Sequence, residues 1–271
     1  MSVEDLFRLD GRVAVVTGGA GLLGAQFCRT LAEAGAAVVI ADLNEQAARS
    51  IEQALSEDGL IVRAVAVDVT SAASVHEMVQ TTLKLFARLD ILVNSAALDP
   101  KFDPQHGGHE QGFEHYPLEA WNQALAVNLT GAFLCCQAVI PPMLEQGRGV
   151  IVNLASIYAL TAPDQRLYQR PGKAVQYKPA YYPVTKAGVL ALTAYLAAYY
   201  GEKNIRVNAL SPGGVYNGHD EDFVRAYSAR TMLGRMARKE DLNGALLFLA
   251  SDASAYMTGA NLVVDGGWSA W

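Results

Sequence analysis

Residues 12–24 read RVAVVTGGAGLLG. The first half is apolar and β-branched, the composition of a strand buried on both faces. From Thr17 to Gly24 the chain then sets glycines at 18, 19, 21 and 24, and a helical pattern starts at Leu22. Glycine permits a tight turn and lets backbone N–H groups approach a pyrophosphate, while the helix N-terminus that follows attracts the anion. A glycine-rich turn carries little alone. Between a strand and a helix it reads as a dinucleotide-binding unit.

Outward from this turn, β-branched runs alternate with helical stretches. Strands are expected at 12–17, 37–41, 61–67, 90–95, 149–155, 205–210 and 261–265, with helices near 22–34, 44–57, 71–87, 118–146, 181–200, 221–232 and 239–250. Gly35 suits a helix stop, and Ser71 and Ser74 suit N-caps. The alternation predicts an α/β chain: one doubly wound Rossmann domain over 1–271, with a mostly parallel seven-stranded sheet and helices on both faces.

Asp42 closes the second strand, where a carboxylate accepts from both hydroxyls of an adenosine ribose and repels a 2′-phosphate. Leu43 and Asn44 follow it and supply no positive charge. The expected cofactor is NAD rather than NADP.

Composition narrows the function classes. The chain has 271 residues, a length that suits one core rather than two. A net charge of −6 argues against nucleic acid and acidic membranes as partners and leaves small molecules and proteins. No basic segment with an apolar run opens residues 1–11, and no stretch approaches the ~20 uninterrupted apolar residues of a membrane helix. Cys28, Cys135 and Cys136 are odd in number and form no disulfide framework, so reduced structural thiols and a cytoplasmic setting are expected.

Tyr182-Pro183-Val184-Thr185-Lys186 puts a phenol and an ammonium on one helix face. A tyrosine with a pKa of about 10 is a poor proton-transfer group at neutral pH, and a nearby cation favours its phenolate. Pro183 suits a first helical turn, which sets Tyr182 near the positive end of the helix dipole.

With these motifs in order, the chain resembles the short-chain dehydrogenase/reductase family over nearly its whole length. Thr17 to Gly24 matches the family's glycine turn, and Asp68-Val69 its adenine-contacting pair. Asn94-Ser95-Ala96-Ala97 and Val127-Asn128-Leu129-Thr130-Gly131 match its two asparagine motifs. Ser156, Tyr182 and Lys186 match its active residues, Ser211-Pro212-Gly213 its nicotinamide-side loop, and Val264-Asp265-Gly266-Gly267 its last strand.

The resemblance implies that Tyr182 exchanges a proton with the substrate oxygen while Ser156 hydrogen-bonds that oxygen. Lys186 would bind the nicotinamide ribose and depress the tyrosine pKa, and Asn128 would hold a water linking Lys186 to solvent. The implied cofactor contacts are Gly18, Gly21, Leu23, Gly24, Asp42, Leu43, Asp68, Val69, Asn94, Ala96, Tyr182, Lys186, Pro212 and Val215. A homodimer or homotetramer through helices 118–146 and 187–200 follows by the same resemblance.

The sequence also departs from the family pattern. The Gly21-Leu22 order is more similar to the longer, sugar-nucleotide-modifying branch. Ser156 and Tyr182 are farther apart than in most of the family, so residues near 164–178 must loop out. Asn217 stands where a threonine is common. Long polar stretches follow the fourth, fifth and sixth strands, at 98–117, 161–180 and 211–220, where open α/β sheets bind ligands.

His106, His109 and His115 crowd the first stretch with Asp103, Glu110 and Glu114. No regular frame converges them, so no metal is expected. In the second, Arg166 and Arg170 stand ready for a carboxylate or phosphate, or else help pack a flap with Tyr158, Tyr168, Tyr177 and Tyr181. Trp268 and Trp271 suggest a buried tail or a subunit contact. The insertion and the C-terminal run are similar to oxidoreductases of flagellin-glycan and nonulosonic-acid sugar pathways.

The expected activity is NAD(H)-dependent interconversion of a secondary alcohol and a carbonyl on a polar, sugar-like substrate. An NAD-recycling epimerase or dehydratase and a catalytically silent NAD-binding regulator are the alternatives.

Overall fold

The computed structural model describes residues 2–99, 112–169 and 176–271. Seven strands form one sheet: β1 (Val13–Thr17), β2 (Ala37–Asp42), β3 (Val62–Ala66), β4 (Ile91–Asn94), β5 (Gly149–Leu154), β6 (Ile205–Pro212) and β7 (Asn261–Val264). Their order is β3-β2-β1-β4-β5-β6-β7, and every neighbouring pair is parallel. Parallel neighbours need crossovers, and the helices supply them.

The helices are α1 (Val3–Phe7), α2 (Leu22–Glu33), α3 (Glu45–Glu57), α4 (Ala72–Phe86), α5 (Leu118–Leu125), α6 (Gly131–Gln146), α7 (Tyr181–Tyr200), α8 (Glu221–Ser228) and α9 (Asn243–Ala250). In β1 the two-residue period sends Ala14 and Val16 into one core layer and Val15 into the other. The first layer packs Phe27 and Leu31 of α2 with Leu246 and Leu249 of α9. The second packs Met78 of α4, Val139 and Met143 of α6 and Leu196 of α7. A doubly wound α/β fold results. Strand order reverses between β1 and β4, which opens a crevice at the carboxyl ends where such sheets bind ligands.

Three expected elements differ in detail. The helix expected over 118–146 is interrupted by a π turn at Ala126–Thr130, where the backbone takes one residue more per turn around the buried Asn128. The segment Leu118–Gln146 is long and apolar enough by length and composition to cross a membrane. Here Cys135, Cys136, Val139 and Met143 lie fully or almost fully inside the second core layer, the setting of a core helix. The helix expected over 221–232 ends at Ser228, and the one over 239–250 begins as a 3-10 turn at Lys239–Leu242.

The thiols of Cys28, Cys135 and Cys136 are free and buried, and burial raises their pKa, that of Cys136 to about 12. Thiols held protonated in this way are packing groups. Trp268 stacks on Tyr227 with ring centroids 4.3 Å apart, whereas Trp271 is exposed and donates its indole N–H to the Arg230 carbonyl at 3.0 Å.

Candidate active site

At the end of β1 the glycines are required sterically. Gly18 has φ +63°, and a Cβ there would lie 2.7 Å from the Cα of Ala96. A Cβ on Gly24 would stand 1.9 Å from the Gly18 carbonyl oxygen, so α2 closes onto the turn only because residue 24 lacks one. Thr17 ties the turn to the loop after β4, its hydroxyl accepting from the N–H groups of Ser95 at 3.2 Å and Ala96 at 3.4 Å. Gly21 starts α2 without a side-chain cap. The first N–H groups of a helix have no intrahelical partner, and Leu22, Leu23 and Gly24 line a cavity. This cradle fits a pyrophosphate.

The cavity has a volume of about 1190 Å³ and runs from that turn to the N-terminal end of α7. There the chain brings Ser156, Tyr182 and Lys186 to one wall. Ser156 leaves β5 and caps a short 3-10 turn, accepting from the Tyr158 N–H at 3.1 Å. Its side chain interacts with the Tyr182 phenol and works against the rise in that group's pKa.

Between them, the described residues of the long stretch contact one another. Gln165 accepts from the Lys178 N–H at 2.9 Å and donates to the Lys178 carbonyl at 3.0 Å, while the Tyr158 and Tyr168 hydroxyls meet at 3.0 Å. These contacts pack the described residues on either side of 170–175 against one another, and Ser156 and Tyr182 line one cavity.

Lys186, one turn along α7, is buried. Its Nζ donates to the Leu154 carbonyl at 2.8 Å and stands 5.9 Å from the centre of the Tyr182 ring. Burial pulls the lysine down to about 8, with Asp99 opposing and Lys178 adding to the fall. Burial pushes the Tyr182 phenol up, Asp99 pushes the same way, and the Ser156 hydrogen bond opposes both. The phenolate expected beside a lysine is therefore outweighed here by desolvation, and Tyr182 keeps its proton at neutral pH.

The model for the family described as enoyl-(acyl carrier protein) reductase matches residues 21–269. A D-threitol dehydrogenase of Mycolicibacterium smegmatis is 39% identical, over 99% of this chain and 97% of its own length. A cis-4-hydroxycyclohexanecarboxylate dehydrogenase of Sinomonas cyclohexanicum is 37% identical, over 96% of this chain and 97% of its own. Among solved structures, a gluconate 5-dehydrogenase of Burkholderia cenocepacia in complex with NADP and tartrate superimposes with a TM-score of 0.88. It is 31% identical and covers all of both chains.

This chain is a short-chain dehydrogenase/reductase. The family binds a nicotinamide dinucleotide and interconverts alcohols and carbonyls.

Of the residues expected to serve this dehydrogenase, the cavity wall holds Gly18, Gly21, Leu23, Gly24, Ser156, Tyr182, Lys186, Pro212 and Val215. Others lie behind or beside it. Asp42 accepts from the Ala20 N–H and the Asn44 N–H, each at 2.9 Å, and so braces the glycine turn from β2. Leu43 is 76% exposed. Asp68 accepts from the Thr70 N–H and hydroxyl, and these bonds hold its carboxyl below the usual range. Val69 packs beneath Gly131. Asn94 is buried and donates to Asn153 Oδ1 at 2.8 Å, while its own Oδ1 has no partner among the described residues. Ala96 backs onto Gly18.

Asn128 spends both polar atoms on Leu98 rather than facing the cavity. Arg166 is turned away by Asp164, to which it gives two hydrogen bonds, and is 80% exposed. His106, His109 and Arg170 lie outside the described residues, and among those described no group of three or more His, Cys, Asp or Glu is placed to hold a metal ion.

Lys178 and Asp99 are among the wall residues not singled out from sequence. Lys178 sits with its Nζ 4.0 Å above the centre of the Tyr182 ring, and it pairs with Asp99 from the loop after β4. Neither carries a local motif. The contact joins segments 79 residues apart.

Proposed function

We propose that this short-chain dehydrogenase/reductase uses NAD(H) to interconvert a secondary alcohol and a carbonyl on a polar, sugar-like substrate, with Tyr182 as the general acid and base. The carrying observation is that Ser156, Tyr182 and Lys186 meet on one wall of a cavity whose other end is the glycine turn.

The N–H groups at the start of α2 would hold the pyrophosphate, Asp42 the adenosine ribose, Asp68 and Val69 the adenine, and Lys186 the nicotinamide ribose, with Asn94, Ala96, Pro212 and Val215 shaping the rest of the groove. When bound, the nicotinamide ring takes up or returns the hydride. The phenol, protonated at neutral pH, gives its proton to a carbonyl oxygen that Ser156 holds. In the oxidative direction the phenol must first lose that proton, and the nearby Lys186 ammonium would favour the phenolate that results. Asp42 favours NAD over NADP because a carboxylate repels a 2′-phosphate. The D-threitol and gluconate 5-dehydrogenase relatives support a hydroxylated substrate. Exposed Leu118, Phe133, Tyr195 and Tyr199 on α5, α6 and α7 support association with further copies of the chain.

The test is nicotinamide absorbance against sugars, sugar acids, nucleotide sugars, polyols and simple secondary alcohols, run beside Tyr182→Phe. Turnover on one group, lost in the variant while NADH still binds, is the expected result. Turnover that survives Tyr182→Phe removes the tyrosine from the chemistry, and tight NAD binding without turnover removes the oxidoreductase assignment.

A further inference from the structure

Lys178 and Asp99 form an ion pair that lines the cavity beside Tyr182. The Lys178 side chain is 7% exposed, pinned between the Tyr182 ring and the carboxylate, while the Asp99 side chain is 46% exposed. The open member of the pair is therefore the acceptor. It lines the same cavity as Tyr182 and is paired with the ammonium that stands over the tyrosine ring, on the side where a substrate held by that phenol would carry its neighbouring groups.

We infer that Asp99, held in place by Lys178, accepts a hydrogen bond from a hydroxyl next to the carbon that is oxidised, which makes the substrate a neutral vicinal diol or polyol. This rests on the alcohol–carbonyl reading given above.

A hydroxyl that donates to a carboxylate makes a stronger bond than one to a neutral oxygen, so the pair separates a diol from a simple alcohol. The same arrangement disfavours acids. Among the described residues of the wall the charged side chains are Asp99, Asp220, Lys178 and Lys186, and no arginine is present. Lys178 already faces a carboxylate, and Arg166 points to solvent. A substrate carboxylate near Tyr182 would lie against Asp99 and be repelled.

The experiment measures kcat/KM with NAD for butane-2,3-diol, butan-2-ol and lactate in the wild type, Asp99→Ala and Lys178→Met. The wild type is expected to prefer the diol to both others by about tenfold to a hundredfold. Each variant is expected to cut the diol-to-butan-2-ol ratio at least about tenfold. Asp99 is half in solvent, so its variant folds even where the lysine variant does not, and the melting temperature and NADH affinity establish this. A wild-type ratio near one, a preference for lactate, or a ratio unchanged by Asp99→Ala overturns the diol assignment and leaves the oxidoreductase reading standing. Turnover of none of the three, nor of any sugar or polyol in the panel above, overturns both.

Discussion

Asn128 grips the backbone of Leu98 from both sides, its Oδ1 accepting from the Leu98 N–H at 2.6 Å and its Nδ2 donating to the Leu98 carbonyl at 3.1 Å. The family resemblance assigns this asparagine a water. In the fold it works as a clamp that sets the residue directly before Asp99. Asn128→Ala leaves two backbone groups without protein partners, and is expected to cost about 1–3 kcal/mol of stability and to lower kcat/KM. Asn128→Asp should be as damaging, because an oxygen then faces the Leu98 carbonyl. Urea unfolding and steady-state kinetics measure both, and an Asp variant of wild-type stability would show that the clamp carries no weight.

What sequence could reveal follows from which interactions are local. The strands and the glycine turn are legible because β-branched runs and close backbone approach leave marks within a few residues, as Val13–Thr17 and Gly18–Gly24 do. Tyr182 and Lys186 are legible because a helix turn joins them. The π turn left no mark in Ala126–Thr130, since the bonds at its centre reach a loop 30 residues away. The Asp99–Lys178 pair is invisible for the same reason. Arg166 left two readings open for a different reason: its neutraliser, Asp164, is only two residues back, but a charge pattern does not tell whether an arginine faces in or out.

Asp42 is expected to set cofactor choice. Wild-type enzyme should bind NADH more tightly than NADPH, and Asp42→Ala should narrow that ratio by about tenfold or more, since about 1.4 kcal/mol corresponds to one decade. The variant also loses the bonds to the N–H groups of Ala20 and Asn44, so a drop of a few degrees in Tm is expected with it. Fluorescence titration with each cofactor reads the ratio. Equal affinities in the wild type would remove Asp42 from the discrimination.

Two glycine-to-alanine changes should have opposite outcomes. At Gly24 the new Cβ meets a backbone oxygen that cannot swing away, so Gly24→Ala should cost about 1–3 kcal/mol and weaken NADH binding at least about tenfold. At the exposed Gly244 in α9 nothing lies within 4 Å, and Gly244→Ala should stabilise by about 0.5–1 kcal/mol through helix propensity. Thermal melts with and without NADH separate the two. Similar effects at both sites would mean that the close approach at Gly24 does not govern the turn.

Lys186 is expected to lower stability where it serves function. Burial brings its pKa from 10.5 down to about 8. At pH 7 both folded and unfolded chains carry its proton, and the folded state holds a desolvated cation at a cost of about 3 kcal/mol. Between about pH 8 and 10.5 the unfolded chain binds more of this proton than the folded one, so the group's contribution to stability rises with pH across that window. Lys186→Met removes the cost and gives up the bond to the Leu154 carbonyl, worth about 1 kcal/mol. The variant should therefore be inactive yet about 1–2 kcal/mol more stable than wild type at pH 7, with the difference gone or reversed near pH 10.5. Urea midpoints of the two proteins across that pH range give the comparison. A methionine variant that is less stable at pH 7, or a difference that does not change with pH, would mean that the buried ammonium is fully compensated by its surroundings and costs the fold nothing.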